Sequence, residues 1–147
     1  MTDTRPFESS PVVPIALWLG YAGLIPFVGG AALAWLPLPE SRPFATAALS
    51  AYAAVIVSFL GGIHWGIGFR DGTRWLFLWG VVPSLVAAAA LLLSPRHGLR
   101  VHALTLLLCY AVDRRVYPTH GLRAWLTLRL RLSLVAATSC LVAAASG

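Results

Sequence analysis

The chain has 147 residues, 59% of them hydrophobic and only 11% charged, with a net charge of +6. Soluble domains carry about 25% charged residues, so a soluble fold is excluded and lipid is the solvent. The length allows one domain.

Every basic residue is an arginine, and the arginines fall in short stretches between apolar runs. They form no basic stripe, which argues against nucleic acid as a partner. Their placement reads as control of membrane topology. The two cysteines, Cys109 and Cys140, lie inside separate apolar runs. If those runs are antiparallel neighbours, the thiols sit about 12 Å apart along the axis, too far for a disulfide.

Residues 1–11 are polar, with Asp3, Arg5 and Glu8, and read as a short cytoplasmic tail. Residues 12–147 form a single transmembrane bundle, all-α and polytopic, with about five spanning helices. The first apolar run is 12–36. Its Ala32-Leu33-Ala34 mimics a signal-peptidase site, but the run is too long for a signal segment and follows a single arginine. It is read as a retained helix. Residues 37–43 are a turn-rich loop.

The second run, 44–69, contains no charge. Arg70-Asp71-Gly72-Thr73-Arg74 is a tight loop with an Asp-Gly turn signal. The third run is 75–93, and residues 95–98 break the chain. All three runs reach the roughly 17–25 apolar residues that a bilayer requires.

The fourth helix, 99–117, carries Arg100 and His102 and spans only if Asp113 to Tyr117 extend it. A re-entrant segment is the alternative. After a turn at 118–122 the fifth helix covers 124–145, with Arg129 and Arg131 near its start. Counting loop arginines places the N-terminus in the cytoplasm and the C-terminus outside, and a bacterial inner (plasma) membrane is the expected location. Trp65, Trp75, Trp79 and Trp125 gather near the cytoplasmic end as an aromatic belt.

The second helix carries Ser50, Ala54, Ser58, Gly62 and Gly66 at every fourth position. Such a row of small residues lets helices approach closely in lipid. It reads as intramolecular packing, with a dimer seam as the alternative. Gly20 and Gly23 offer close approach on the first helix. Pro26 and Pro83 each remove a backbone donor inside an apolar run and are expected to kink their helices.

His64 lies within Gly61-Gly62-Ile63-His64-Trp65-Gly66. A histidine inside a membrane marks a functional site or an interfacial group bonded to a neighbouring helix. Asp113 is the one acidic residue adjoining an apolar core run. A hairpin about residue 120 brings it opposite residues 127 to 129, which makes Arg129 its natural partner. Arg131 and Arg115 snorkel to the phosphate layer. No second His or Cys stands at ligand spacing, so no metal is expected, and no cofactor or catalytic set emerges.

Leu19-Gly20-Tyr21-Ala22-Gly23-Leu24-Ile25-Pro26-Phe27 and Phe59-Leu60-Gly61-Gly62-Ile63-His64-Trp65-Gly66 resemble the two signature stretches of the uncharacterised transmembrane protein 69-like family. Val82-Pro83-Ser84-Leu85, Asp113-Arg114 and Leu128-Arg129 resemble its later positions. The likeness runs from about Pro14 to Val142. It implies a small multi-helix membrane protein and no established activity. The stretch after Trp125 fits less well, because the resemblance implies another aromatic where Leu126 stands and Arg131 is extra.

The expectation is a non-enzymatic bundle in the lipid bilayer that assembles or stabilises a membrane-protein partner or a homo-oligomer. The alternative is a small proton-linked carrier using His64 and Asp113. A carrier requires a polar cavity near the bilayer midplane, whereas an assembly protein requires a packed interior.

Overall fold

A computed structural model describes residues 11–37 and 40–146. Residues 1–10 of the expected tail lie outside the described residues. Six α-helices follow one another: α1 (Pro14–Ala22), α2 (Ile25–Trp35), α3 (Ser41–Asp71), α4 (Arg74–Leu91), α5 (Pro95–Val116) and α6 (Leu126–Ala144). Two short 3₁₀ turns, Tyr117–His120 and Arg123–Trp125, join α5 to α6. There is no strand among the described residues. The all-α bundle read from composition is the fold.

The first apolar run is two helices in line. α1 ends at Ala22, four residues before Pro26. The proline ring cannot donate to that carbonyl and clashes with it, so the helix breaks there and restarts. The break exposes the Gly23 carbonyl, and Tyr52 of α3 donates its hydroxyl to it at 2.9 Å. Pro26 thus acts through a break rather than a bend. Pro83 behaves otherwise: α4 runs through it unbroken, and its ring is buried. Pro83 therefore does not divide its helix as Pro26 does.

α3 is 31 residues long, or about 46 Å at 1.5 Å per residue. That exceeds the roughly 30 Å hydrocarbon layer, so its ends project beyond it. It closes on Gly72, whose φ of 68° is the left-handed cap that a side chain resists. α3 packs against α2, α4, α5 and α6 and is the central element. The core around it is built from Ala45, Leu49, Ala53, Val57, Leu99, Ala103, Leu106 and Ala137. Outward positions such as Trp18, Leu78 and Leu92 are large, apolar and exposed, as lipid-facing positions must be.

Four segments are long and apolar enough to cross a membrane: Pro14–Trp35, Ser41–Asp71, Arg74–Leu91 and Arg123–Ala144. α5 is less apolar but has 22 residues, about 33 Å. It begins at Pro95, four residues before the expected start, because proline is well suited to the first helical position. Its far end meets the α3–α4 loop. Arg70 Nη2 donates to the His120 carbonyl at 2.9 Å, and His120 Nε2 stands 3.6 Å from Asp71 Oδ2. The C-terminal ends of α3 and α5 therefore share one face of the bundle. At the opposite face Trp35 Nε1 donates to the Val142 carbonyl at 2.9 Å.

The row of small residues on α3 divides. Ser50 and Ala54 are buried and Ser58 is half-buried, but Gly62 and Gly66 are exposed, and a Cβ added at either would meet nothing within 4 Å. A helix turns about 100° per residue, so each four-residue step overshoots by about 40° and the row winds by about 160° from Ser50 to Gly66. The expectation of Gly62 and Gly66 as packing positions is corrected. The close approach belongs to Gly61, where an added Cβ would strike the Gly80 carbonyl of α4. At Gly80 it would meet the Gly61 carbonyl at 2.7 Å and the Trp65 indole. Gly98 of α5 similarly packs on the Ala90 carbonyl and Ser50 Oγ.

Candidate functional site: a buried triad beside an apolar cleft

His64, Asp113 and Arg129 meet within about two helical turns of the end where α3 and α5 finish. α3 supplies His64, α5 supplies Asp113 in its last turn, and α6 supplies Arg129 in its first. The hairpin between α5 and α6 brings the last two together. Arg129 Nε donates to Asp113 Oδ2 at 2.8 Å, and Nη2 lies 2.7 Å from the same oxygen. Nη2 lacks good hydrogen-bond alignment, so its contribution is mainly Coulombic. Both guanidinium nitrogens converge on Oδ2, which leaves Oδ1 to face His64.

His64 Nε2 stands 3.3 Å from Asp113 Oδ1. The alignment is again poor for a hydrogen bond, and neither atom has another partner among the described residues. On its other side Nδ1 lies 3.2 Å from the Leu60 carbonyl. The ring is thus held between two acceptors. A neutral imidazole carries one N–H and can satisfy only one of them.

Burial makes these charges consequential. His64 is 1% exposed, Asp113 0% and Arg129 8%. Charges this deep persist only when paired, and the aspartate and arginine neutralise each other. The Trp79 ring stands edge-on to His64 at 6.3 Å, and the buried Tyr117 ring lies 6.4 Å away. His64 lies seven residues from the end of its helix, or about 10 Å inside it.

The other positions singled out in the sequence lie around this centre. Gly20 of α1 faces Leu132 of α6, whose Cδ1 would stand 3.1 Å from an added Cβ. Gly23 faces Tyr52. Arg131 is exposed and reaches the Tyr21 hydroxyl at 3.3 Å instead of pointing only to the phosphate layer. Cys109 and Cys140 are free and buried.

The sequence reading assigned no site role to His102, Ser133 or Trp125. His102 is fully buried in α5 with neither ring nitrogen bonded. Ser133 is 2% exposed, and its Oγ has no partner among the described residues. Trp125 Nε1 is likewise buried and unpartnered. Trp125, at the end of the turn leading into α6, and Arg129 and Ser133 within α6 are four residues apart and share one face, a spacing that links these three.

That face forms one wall of a half-open cleft of about 520 Å³. Ala16, Leu19 and Gly20 of α1, Phe27 of α2 and Ile56, Phe59 and Leu60 of α3 form the other walls. Apart from Trp125, Arg129, Ser133 and Tyr117, the lining is apolar. Among the described residues no group of three His, Cys, Asp or Glu side chains could hold a metal ion.

Residues 12–145 match the family described as Protein of unknown function (DUF3429). The chain belongs to this family. The matched region contains all three triad residues and every helix from α1 to α6. The chain is also 37% identical over 134 residues to Transmembrane protein 69 of Xenopus tropicalis, covering 82% of this chain and 52% of that protein. It therefore spans about half the length of the curated relative it matches. No solved structure matches the chain. The likeness to a transmembrane protein and the apolar helices establish an integral membrane protein, and the family description names no activity.

Proposed function

We propose that the chain is a non-enzymatic membrane bundle that assembles or stabilises a larger membrane complex, built with a protein partner or with further copies of itself. The supporting observation is how its buried polar groups are used. His64, Asp113 and Arg129 are spent on one another across three helices. The cleft beside them is apolar rather than a wet path for a polar solute. The proposal places the bundle in a bacterial plasma membrane. The arginine-rich loops at 70–74 and 114–123 face the cytoplasm, with the N-terminus on that side and the C-terminus outside.

Native electrophoresis of membranes solubilised in mild detergent tests it. The chain should migrate in a complex of defined size, and deleting the chain should deplete that complex. A chain that runs as a lone monomer, with every other membrane complex unchanged on its deletion, contradicts the reading.

A second reading, a proton-linked carrier, rests on the position of His64 between two acceptors. That geometry sets a buried, titratable ring between a backbone carbonyl and a carboxylate. Proteoliposomes loaded with a pH-sensitive dye distinguish the two. A proton flux abolished by His64→Gln favours the carrier. Impermeable vesicles favour the assembly role.

A further inference from the structure

We propose that the cleft between α1, α3 and α6 is a binding site for a lipid acyl chain ending in carbonyl oxygens, as an ester or a carboxylate. This site does not depend on the assembly role. Its body is hydrocarbon in character: Leu19, Phe27, Ile56, Phe59 and Leu60 face a space of about 520 Å³. That volume lies within the roughly 300–1,000 Å³ typical of small-molecule sites.

Its polar lining residues are Tyr117 and, on the α6 side, Trp125, Arg129 and Ser133, whose buried side chains can donate. Ser133 is the informative one. A serine or threonine inside a helix commonly back-bonds to the carbonyl a turn earlier. Thr46 does so to the Arg42 carbonyl, and Thr105 to the Val101 carbonyl. The buried Ser133 hydroxyl makes no such bond and has no other partner. Four residues earlier stands the Arg129 guanidinium, and four before that the unpartnered Trp125 indole N–H.

Asp113 stands behind Arg129 and turns its oxygens to Arg129 and His64, so the acceptors among the lining side chains are the hydroxyls of Tyr117 and Ser133. Ser133 and Trp125 still lack a partner among the described residues, and an occupant that brings acceptor oxygens supplies one. Such an occupant must also be apolar over most of its length. Trp125 to Ser133 spans eight residues of helix, about 12 Å, beginning at the bundle end. Acyl carbonyls lie at this shallow depth, just inside the polar headgroups. Two sources share that chemistry, a membrane phospholipid and a free fatty acid.

Purified full-length protein provides the test, by thermal shift and by native mass spectrometry. The added probes are a phosphatidylglycerol, oleate and hexadecane, the last being a chain without an acceptor. The phospholipid or oleate should raise the melting temperature and remain bound at one equivalent, and whichever binds more tightly identifies the source. Hexadecane should do neither. Ser133→Ala, which keeps the packing, should weaken binding by up to about tenfold, as expected for one lost hydrogen bond. Ala16→Phe, which fills the cleft from the loosely packed α1, should abolish the bound equivalent. The proposal is overturned if hexadecane binds as well as oleate, if neither acyl probe binds, or if the probes bind Ala16→Phe as well as wild type.

Discussion

The α3–α4 seam and the α1 flank are both built from small residues, yet they are packed in opposite ways. At the seam Gly61 and Gly80 bring two backbones so close that neither position has room for a methyl group. At the flank Gly20 and Gly23 stand beside a half-open cleft, and α1 has no buried residue. The difference lies in what surrounds the glycines. Gly61 sits on the inward face of a long, continuous helix. Gly23 sits at a break imposed by Pro26. Small residues allow close approach in lipid, but a continuous helix face is required to use it. One region is therefore a rigid spine and the other an adaptable wall.

The charged triad belongs to the rigid side, and its loss should have the largest effect. Arg129→Gln leaves Asp113 buried without its cation. Breaking a buried pair in this way costs about 3–5 kcal/mol, and the burial of both residues leaves little room for solvent to soften it. Denaturant titration in detergent should show that loss. A change below about 1 kcal/mol would mean that water reaches the site.

Gly61→Leu follows. The side chain has no space beside the Gly80 carbonyl, and overpacking costs about 1–3 kcal/mol or more. A lowered melting temperature is expected, and a wild-type value would place α4 farther from α3. Gly62→Leu, one residue along, should change stability by less than about 0.5 kcal/mol, as exposed positions do. The pair is a direct comparison, because the two residues differ only in the direction they face. A large loss at Gly62 would reveal a neighbour on that face, such as a second copy.

Much of this was legible in the residues. Composition and run length indicated an all-α membrane bundle because lipid leaves the backbone no other way to satisfy itself among helices. Asp113 and Arg129 could be paired because a tight hairpin brings the ends of its two helices side by side. The third member could not be placed against them, since His64 comes from a helix far away in sequence and only the tertiary arrangement sets its depth. The row from Ser50 to Gly66 misled for a geometric reason, the drift of a four-residue repeat on a 3.6-residue helix. The cleft was invisible because it arises from the loose seating of α1, which no local pattern encodes. Ser133 shares the four-residue spacing of Trp125 and Arg129, but the missing bond of its hydroxyl could not be read, since a serine in a helix commonly bonds its own backbone.

The triad as the pin across α3, α5 and α6 is the central claim, and a double-mutant cycle tests it most directly. Asp113→Asn, Arg129→Gln and the double variant would be compared by denaturant stability in the same detergent. Contacting charges should show a coupling of about 2 kcal/mol, so the double variant loses less than the sum of the singles. His64→Gln combined with Asp113→Asn should also fall short of additivity, by a smaller margin, because its contact is longer and poorly aligned. Strict additivity of Asp113→Asn and Arg129→Gln would contradict the account, showing that the two side chains do not meet in the folded bundle.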